Sequence, residues 1–316
     1  RRDLQAGETF ELQGGALVTL RDHIPSGHKL ALRQVLAGEP VHRYGQVIGF
    51  ASRVILPGEH VHIHNLGLGG ALDRQDFERC KNEFPYSEVQ GVLFAPVFQE
   101  ESVSFLSQCE EWKLPVVLFN SLLDVASIRS FVGQDAFHSG YVAAKLINYG
   151  IEHGRDVAII NMSVRTDHYA HIISREKGFR SYFDEHSDRL KHLLTIDLHG
   201  ADDQSMKDQL REACSKHDLA GLFVTNSRVY KVAEFLAHEG NKKVRLVGYD
   251  LLPESIHYLK QNYIDFLISQ KPEEQAFKGL FSLFYLVAFH REPEARQLLP
   301  IDIITRENLS YYQAKT

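Results

Sequence analysis

The stretch Gly91-Val92-Leu93-Phe94-Ala95-Pro96, then an amphipathic run from Glu101 to Trp112, then Leu114-Pro115-Val116-Val117-Leu118-Phe119-Asn120, decides the fold. Both apolar runs are continuous rather than alternating. A strand of that kind is buried on both faces and belongs in a parallel sheet with helices on each side. In such sheets ligands bind beyond the carboxyl ends of the strands, and the second run ends there in a polar residue, Asn120. Small-molecule binding in a cleft is therefore the first functional expectation. The rhythm continues along the chain. Strands are predicted at 91–95, 115–119, 156–161, 192–197, 220–225, 244–249 and 265–269. Helices are predicted at 73–83, 101–112, 137–153, 168–186, 203–216, 228–239, 253–261 and 272–289. This alternation is the α/β signature.

Residues 1–68 differ in character. Short β-type segments are split by Gly7, Gly14-Gly15, Pro25-Ser26-Gly27, Gly38-Glu39-Pro40, Gly45, Gly49 and Pro57-Gly58, which predicts a small all-β domain. Asp3–Glu8, Val35–Pro40 and Ile55–Glu59 echo one another as an apolar residue, a small turn and Gly-Glu, the glycine supplying the positive φ of a tight turn. Leu66-Gly67-Leu68-Gly69-Gly70 reads as the hinge, leaving 69–316 as the α/β part.

With 316 residues, roughly two domains of about 150 residues are expected. The net charge of −6, from 35 Lys and Arg against 41 Asp and Glu, argues against nucleic-acid binding through a broad basic face. Any DNA contact is expected only through a segment not in this chain. Cys80, Cys109 and Cys214 are widely spaced and form no CxxC pattern, which fits a reduced cytoplasmic setting. No signal peptide and no apolar run of the ~18 residues a membrane span needs is present, so no membrane partner is expected.

Seven segments in register resemble the effector-binding core of the lactose-repressor family, which shares its fold with periplasmic sugar-binding proteins. They are Gly91–Pro96, Pro115–Asn120, Val132–Asp135 with Ser139–Lys145, Ser174–Phe179, Phe223–Asn226, Leu246–Asp250 and Leu267–Gln270, covering about residues 75 to 312. The resemblance implies periplasmic-binding-protein-like doubly wound parallel sheets in two lobes. It also implies a sugar or sugar-acid ligand held by Asn120, Gln134, Asp135, Arg175, Asn226, Asp250 and Gln270, and a homodimer. The residue types suit that role, because a guanidinium fork or a carboxylate can hold paired hydroxyls, and Arg175 could also grip a carboxylate. Each has a plainer reading. Arg175 could be a surface arginine, Asp250, Asn226 and Asp135 could be helix caps, and Gln270 could be a turn residue. Phe94, Phe98, Tyr169 and Phe223 are candidate aromatic platforms for sugar C–H faces, with the core as the commoner place for each. The family's opening strand, helix and strand have no counterpart here, so a truncated first lobe is expected.

Thr19–Leu32, Gly38–Val41, Tyr44–Gly49 and Pro57–Asn65 resemble the N-terminal SAF domain of altronate dehydratases, a likeness covering nearly all of residues 2 to 66. Those enzymes remove water from sugar acids with a divalent metal. His23 and His28 flank the turn Pro25-Ser26-Gly27 and are the positions expected to touch an anionic sugar. His60, His62 and His64 alternate along one strand and share a face. They are the candidate metal ligands, yet neighbours about 7 Å apart do not share one ion without further help, and a solvated β face is the plainer reading. No GxGxxG, P-loop, GxSxG or HExxH motif occurs. The expectation is a non-enzymatic sugar or sugar-acid sensor without a cofactor. The alternative is a metal-dependent sugar-acid dehydratase or an accessory part of one.

Overall fold

The computed structural model describes residues 2–11, 17–43, 46–62, 64–67, 74–123, 125, 127–162, 170–198 and 203–313. The chain divides into two units, Arg1–Glu83 and Phe84–Thr316. The boundary falls later than the change of sequence character near residue 68, so helix α1 (Arg74–Asn82) goes with the first unit. The turn signals at Gly14-Gly15 and Gly45 and the linker residues Leu68-Gly69-Gly70 lie outside the described residues.

The first unit is made of short antiparallel strands. β1 (Thr9–Glu11) pairs with β2 (Leu17–Thr19), and β3 (Lys29–Leu30) with β6 (His60–Val61); β4 (Pro40–Arg43), β5 (Gln46–Ala51) and β7 (Leu66–Gly67) lie side by side. The repeated turns explain the arrangement. Gly7, Gly27, Gly38 and Gly58 have φ of 89°, 87°, 82° and 87°, a region that costs a residue with a Cβ about 1–2 kcal/mol. The apolar residue before each turn bridges its counterpart before another, Leu4 to Ile24 and Val35 to Ile55. The turns thus pair two by two, and Val35 and Ile55 close a core with Ala31, Val41, Ala51 and Val61.

The second unit has two lobes. The first is a parallel sheet in the order β16-β10-β9-β8, built from β8 (Val92–Phe94), β9 (Val116–Phe119), β10 (Ile128–Gly133) and β16 (Arg296–Leu298). Helices α2 (Gln99–Glu111) and α8 (Pro272–Phe289) belong to it. The second is a six-stranded sheet in the order β12-β11-β13-β14-β15-β17. Its parallel members are β11 (Arg155–Met162), β12 (Leu190–Leu198), β13 (Leu219–Val224), β14 (Arg245–Tyr249) and β15 (Phe266–Ser269), and β17 (Asp302–Ile304) runs antiparallel at its edge. Its helices are α3 (Ala136–Asn148), α4 (Ala170–Glu185), α5 (Asp203–Lys216), α6 (Val229–His238) and α7 (Pro253–Lys260), with α9 (Ser310–Gln313) near the C-terminus. Successive residues of one strand enter different cores. Val157 and Ile159 pack with Phe179, Phe223 and Val247, whereas Ala158 and Ile160 pack with Leu222, Val224 and Leu246. That burial on both faces is what the unbroken apolar runs required.

The chain passes between the lobes after β10, after β15 and after β16. Gln134, in the first crossing, ties the other two. Its Nε2 donates to Ser269 O at 2.7 Å and to Pro300 O at 2.9 Å. Helix α3 ends at Asn148 rather than at 153, where Gly150 leaves room for the Arg245 side chain: a Cβ there would stand 2.2 Å from its guanidinium nitrogens. Among the described residues no helix is long and apolar enough to cross a membrane.

Candidate functional site

Strand tips build the cleft. β9 and β14 each end in a residue of positive φ, Asn120 at 66° and Asp250 at 67°. Each donates its N–H across to the neighbouring strand, Asn120 to Val132 O at 3.1 Å and Asp250 to Ile268 O at 3.0 Å. The two lobes thus repeat one device. Asn and Asp are the non-glycine residues that best tolerate this conformation, so the backbone geometry and the polar side chain at the tip are served by one choice of residue.

Arg175 arrives from α4, and a close helix crossing puts it there. A Cβ on Gly140 of α3 would stand 1.9 Å from Arg175 O, and one on Gly178 of α4 would stand 1.9 Å from Phe137 O. Only glycine permits that approach. Arg175 is buried, not the surface residue of its plainer reading. Its Nη1 donates to Thr225 O at 2.7 Å, its Nη2 donates to Gln270 Oε1, and its guanidinium lies 3.7 Å over the Tyr249 ring. Its Nε, also buried, has no hydrogen-bond partner among the described residues. Gln270 in turn donates Nε2 to Asp250 Oδ2 at 2.6 Å. Burial raises the Asp250 pKa despite the opposing pull of Arg175 and Gln270.

Phe119, Asn120, His171, Arg175, Asn226, Asp250, Gln270 and Gln275 line one cleft of ≈ 280 Å³. Of the residues expected from the sequence, Asn120, Arg175, Asn226, Asp250 and Gln270 therefore share a cavity. Asp250 caps no helix, since Leu252 holds the N-cap of α7. Asn226 does not cap α6, whose N-cap is Arg228. Its amide joins the end of β11 to the start of α6, donating to Met162 O at 2.8 Å and accepting from Arg228 N at 3.0 Å. Gln134 and Asp135 line an adjoining space of ≈ 330 Å³ that shares Asn120 and His171 with the cleft. The Gln134 Nε2 is spent on the crossings, and Asp135 is the N-cap of α3, accepting from His138 N at 2.9 Å.

Sequence reasoning missed His171, Gln275 and Phe119. His171 Nδ1 lies 3.2 Å from Ser121 Oγ, joining α4 to the tip of β9, and burial with the nearby Arg175 charge pushes its pKa down to about 3. Gln275, on the first turn of α8, accepts from Asn120 N at 2.8 Å and donates to Gln270 O at 2.6 Å. Of the aromatic candidates, Phe223 stacks on Phe179 at 4.6 Å in the core, Phe94 packs on Phe105 at 5.0 Å, and Phe98 is buried at the N-cap of α2. Tyr169 lies outside the described residues. Phe119 lines the cleft.

In the first unit His28 joins the alternating histidines. Its Nδ1 lies 2.9 Å from His60 Nε2, and its ring centroid is 5.0 Å from those of both His60 and His62. The strand ends at Val61, so His64 sits in a turn, its centroid 5.5 Å from that of His60. His62 is stacked at 20° on His28 and at 21° on His60. Among the described residues no group of three or more His, Cys, Asp or Glu side chains is placed to hold an ion. Burial first, and then the neighbouring imidazoles, lower the pKa of His60 and His62. His23 faces Asp3, Nε2 to Oδ2 at 3.6 Å. His28, Lys29, Arg33 and His42 rim a separate pocket of ≈ 530 Å³ floored by Val35, Val41 and Val61.

Comparison with known proteins agrees with both units. Residues 82–290 match the model of the periplasmic binding protein domain, and residues 1–68 that of the altronate/galactarate dehydratase SAF domain. Altronate dehydratase of Bacillus subtilis is 41% identical over 117 residues, 37% of this chain and 23% of that protein. The chain spans between 20% and 50% of the length of the curated relatives it matches. A Bacteroides fragilis structure described as a LacI transcriptional regulator superposes with a TM-score of 0.70 at 29% identity, over 76% of this chain and 83% of that one. An ABC transporter solute-binding protein of Agrobacterium vitis, bound with α-D-tagatopyranose, superposes with a TM-score of 0.64 at 19% identity, over 75% of this chain and 80% of that one. The chain belongs to the periplasmic binding protein domain family and carries an altronate dehydratase-type SAF domain at its N-terminus.

Proposed function

We propose that the cleft takes a carbohydrate or sugar acid and that the chain is the effector-binding part of a lactose-repressor-type transcription regulator, sensing its ligand without transforming it. One observation carries the reading: polar strand-tip residues from both lobes, with Arg175, share a single small cleft. Arg175 and Asp250 both line the cleft, and a polyol hydroxyl suits a guanidinium and a carboxylate together because it donates and accepts. The 29% identical regulator neighbour supports sensing, and the tagatopyranose bound to the other neighbour supports a sugar. The SAF domain supports a sugar acid. A ligand carboxylate would compete with Gln270 Oε1 for Arg175 and would release Gln270 from Asp250.

The mechanism follows from the crossings. Ligand bridging Asn120 of one lobe and Asp250 of the other favours the closed arrangement, because closure adds contacts that the open form lacks. Gln134 keeps the crossings in step, and the Ser121–His171 contact marks where the lobes meet.

Two other readings each have an observation behind them. The tagatose-bound neighbour favours a transport binding protein, and the altronate dehydratase relative favours a part of a hydro-lyase. Isothermal titration of the full chain against D-altronate, hexuronates, D-tagatose and D-arabinose tests the sensor. Saturable one-site binding of at least one is expected. Silence toward all of them from folded protein overturns it. Formation of a keto sugar acid from altronate with added ferrous or manganous ion would move the assignment to the hydro-lyase.

A further inference from the structure

Lys29 and Arg33 flank the apolar run Leu30-Ala31-Leu32 in a chain whose net charge is −6. Strand pairing sets Lys29 opposite Val61. Along β4 the buried Val41 is followed by the exposed His42, and Val35 is held by its bridge to Ile55. The result is the pocket of ≈ 530 Å³ in the first unit, with Val35, Val41 and Val61 on its floor and His28, Lys29, Arg33 and His42 at its rim. Among the described residues that line it there is no carboxylate and no neutral polar side chain. Arg2 and Arg53 of the same unit are each paired with a glutamate, Glu8 at 2.6 Å and Glu59 at 2.9 Å. Lys29 and Arg33 form no ion pair and no side-chain hydrogen bond among the described residues. Two cations thus stand over a hydrocarbon floor with no anion of the unit to neutralise them.

We infer that this pocket binds a small carboxylic acid with an apolar body, of the aryl or medium-chain type. The rim selects the head group. A carboxylate takes charge-assisted hydrogen bonds from Lys29 and from the planar fork of Arg33. The floor selects the body, because covering three valines with hydrocarbon removes apolar surface from water on both sides. A polyhydroxylated acid fits less well. Its hydroxyls would lose water against valine and find no neutral polar side chain in exchange. An inorganic anion would satisfy the rim and leave the floor bare. The volume is that of an ordinary small-molecule pocket. The pocket is lined by the first unit alone and the cleft by the second, so this inference and the proposed cleft ligand fail separately.

Methyl NMR of the full chain, titrated with phenylacetate and with hexanoate, tests the inference. Both acids are expected to shift the methyl signals of Val35, Val41 and Val61 saturably. Phenylacetamide keeps the body and lacks the charge, and D-gluconate keeps the charge and lacks the apolar body. Each should act on these methyls at least about tenfold more weakly. Lys29→Gln/Arg33→Gln should weaken phenylacetate binding about tenfold or more, with an unchanged melting temperature because neither side chain holds an ion pair. Where the double variant misfolds, the wild type alone suffices. Raising the ionic strength should weaken phenylacetate binding and leave phenylacetamide unaffected. Valine methyls that neither acid moves in the folded protein overturn the inference. So do phenylacetamide binding as tight as that of phenylacetate, or a double variant that binds like the wild type. D-gluconate shifting the same methyls as strongly overturns the apolar assignment and makes this a sugar-acid pocket.

Discussion

His171→Gln is the most informative single substitution. His171 bonds to Ser121 across the lobes, and burial beside Arg175 drops its pKa to about 3. Unfolded, the imidazole titrates near 6.5. Because the folded value is the depressed one, the unfolded chain takes up a proton first as pH falls. The neutral imidazole therefore contributes stability that is fully present above about pH 6.5 and declines as pH drops toward 3. At about 1.4 kcal/mol per pH unit, this one group removes about 2 kcal/mol of unfolding free energy between pH 7 and pH 5. Glutamine has a similar reach to Ser121 and does not titrate. Urea unfolding at both pH values, wild type against His171→Gln, isolates the difference. The wild type should lose about 2 kcal/mol more than the variant over that interval. Equal losses would show that His171 protonates freely in the folded protein, and would refute a packed lobe contact at the cleft.

Further outcomes follow from the same contacts. Arg175→Lys keeps the charge but loses the fork that reaches Thr225 O and Gln270 Oε1 together, so ligand affinity measured by isothermal titration should fall about ten- to a hundredfold. Gln134→Leu leaves the Ser269 and Pro300 carbonyls without their donor and should lower urea stability by about 1–3 kcal/mol. Gly178→Ala sets a methyl against Phe137 O and forces α3 and α4 apart. A loss of about 1–3 kcal/mol with parallel loss of binding is expected, and an unchanged melting temperature would contradict the close crossing.

The sequence was most legible where burial dictated it. Val157–Ile160 and Leu222–Val224 are apolar on both faces because both faces are covered, and the strands predicted there end within two residues of the observed ones. β10 went unread at its start because Arg129 and Ser130 break the apolar run, where its register against β9 also shifts. β16, Arg-Gln-Leu, is a short, largely exposed edge strand with no apolar signature. The strand-tip residues Asn120, Asp250 and Gln270 could be read because a polar residue closes each apolar run. Gln275 and His171 could not, because their importance arises where separate crossings meet, and nothing local on α8 or α4 announces it. Gln134 was named through the family resemblance, but its hydrogen bonds to Ser269 and Pro300 depend on segments 135 and 166 positions away.

The most direct test is a crystal structure of the full chain grown with the tightest-binding sugar or sugar acid from the titration panel. Difference density is expected between Asn120, Arg175 and Asp250, with a ligand oxygen on the Arg175 guanidinium and another on the Asp250 carboxylate. A ligand bound elsewhere, with Gln270 still joined to both Arg175 and Asp250 over a cleft holding only solvent, would contradict it.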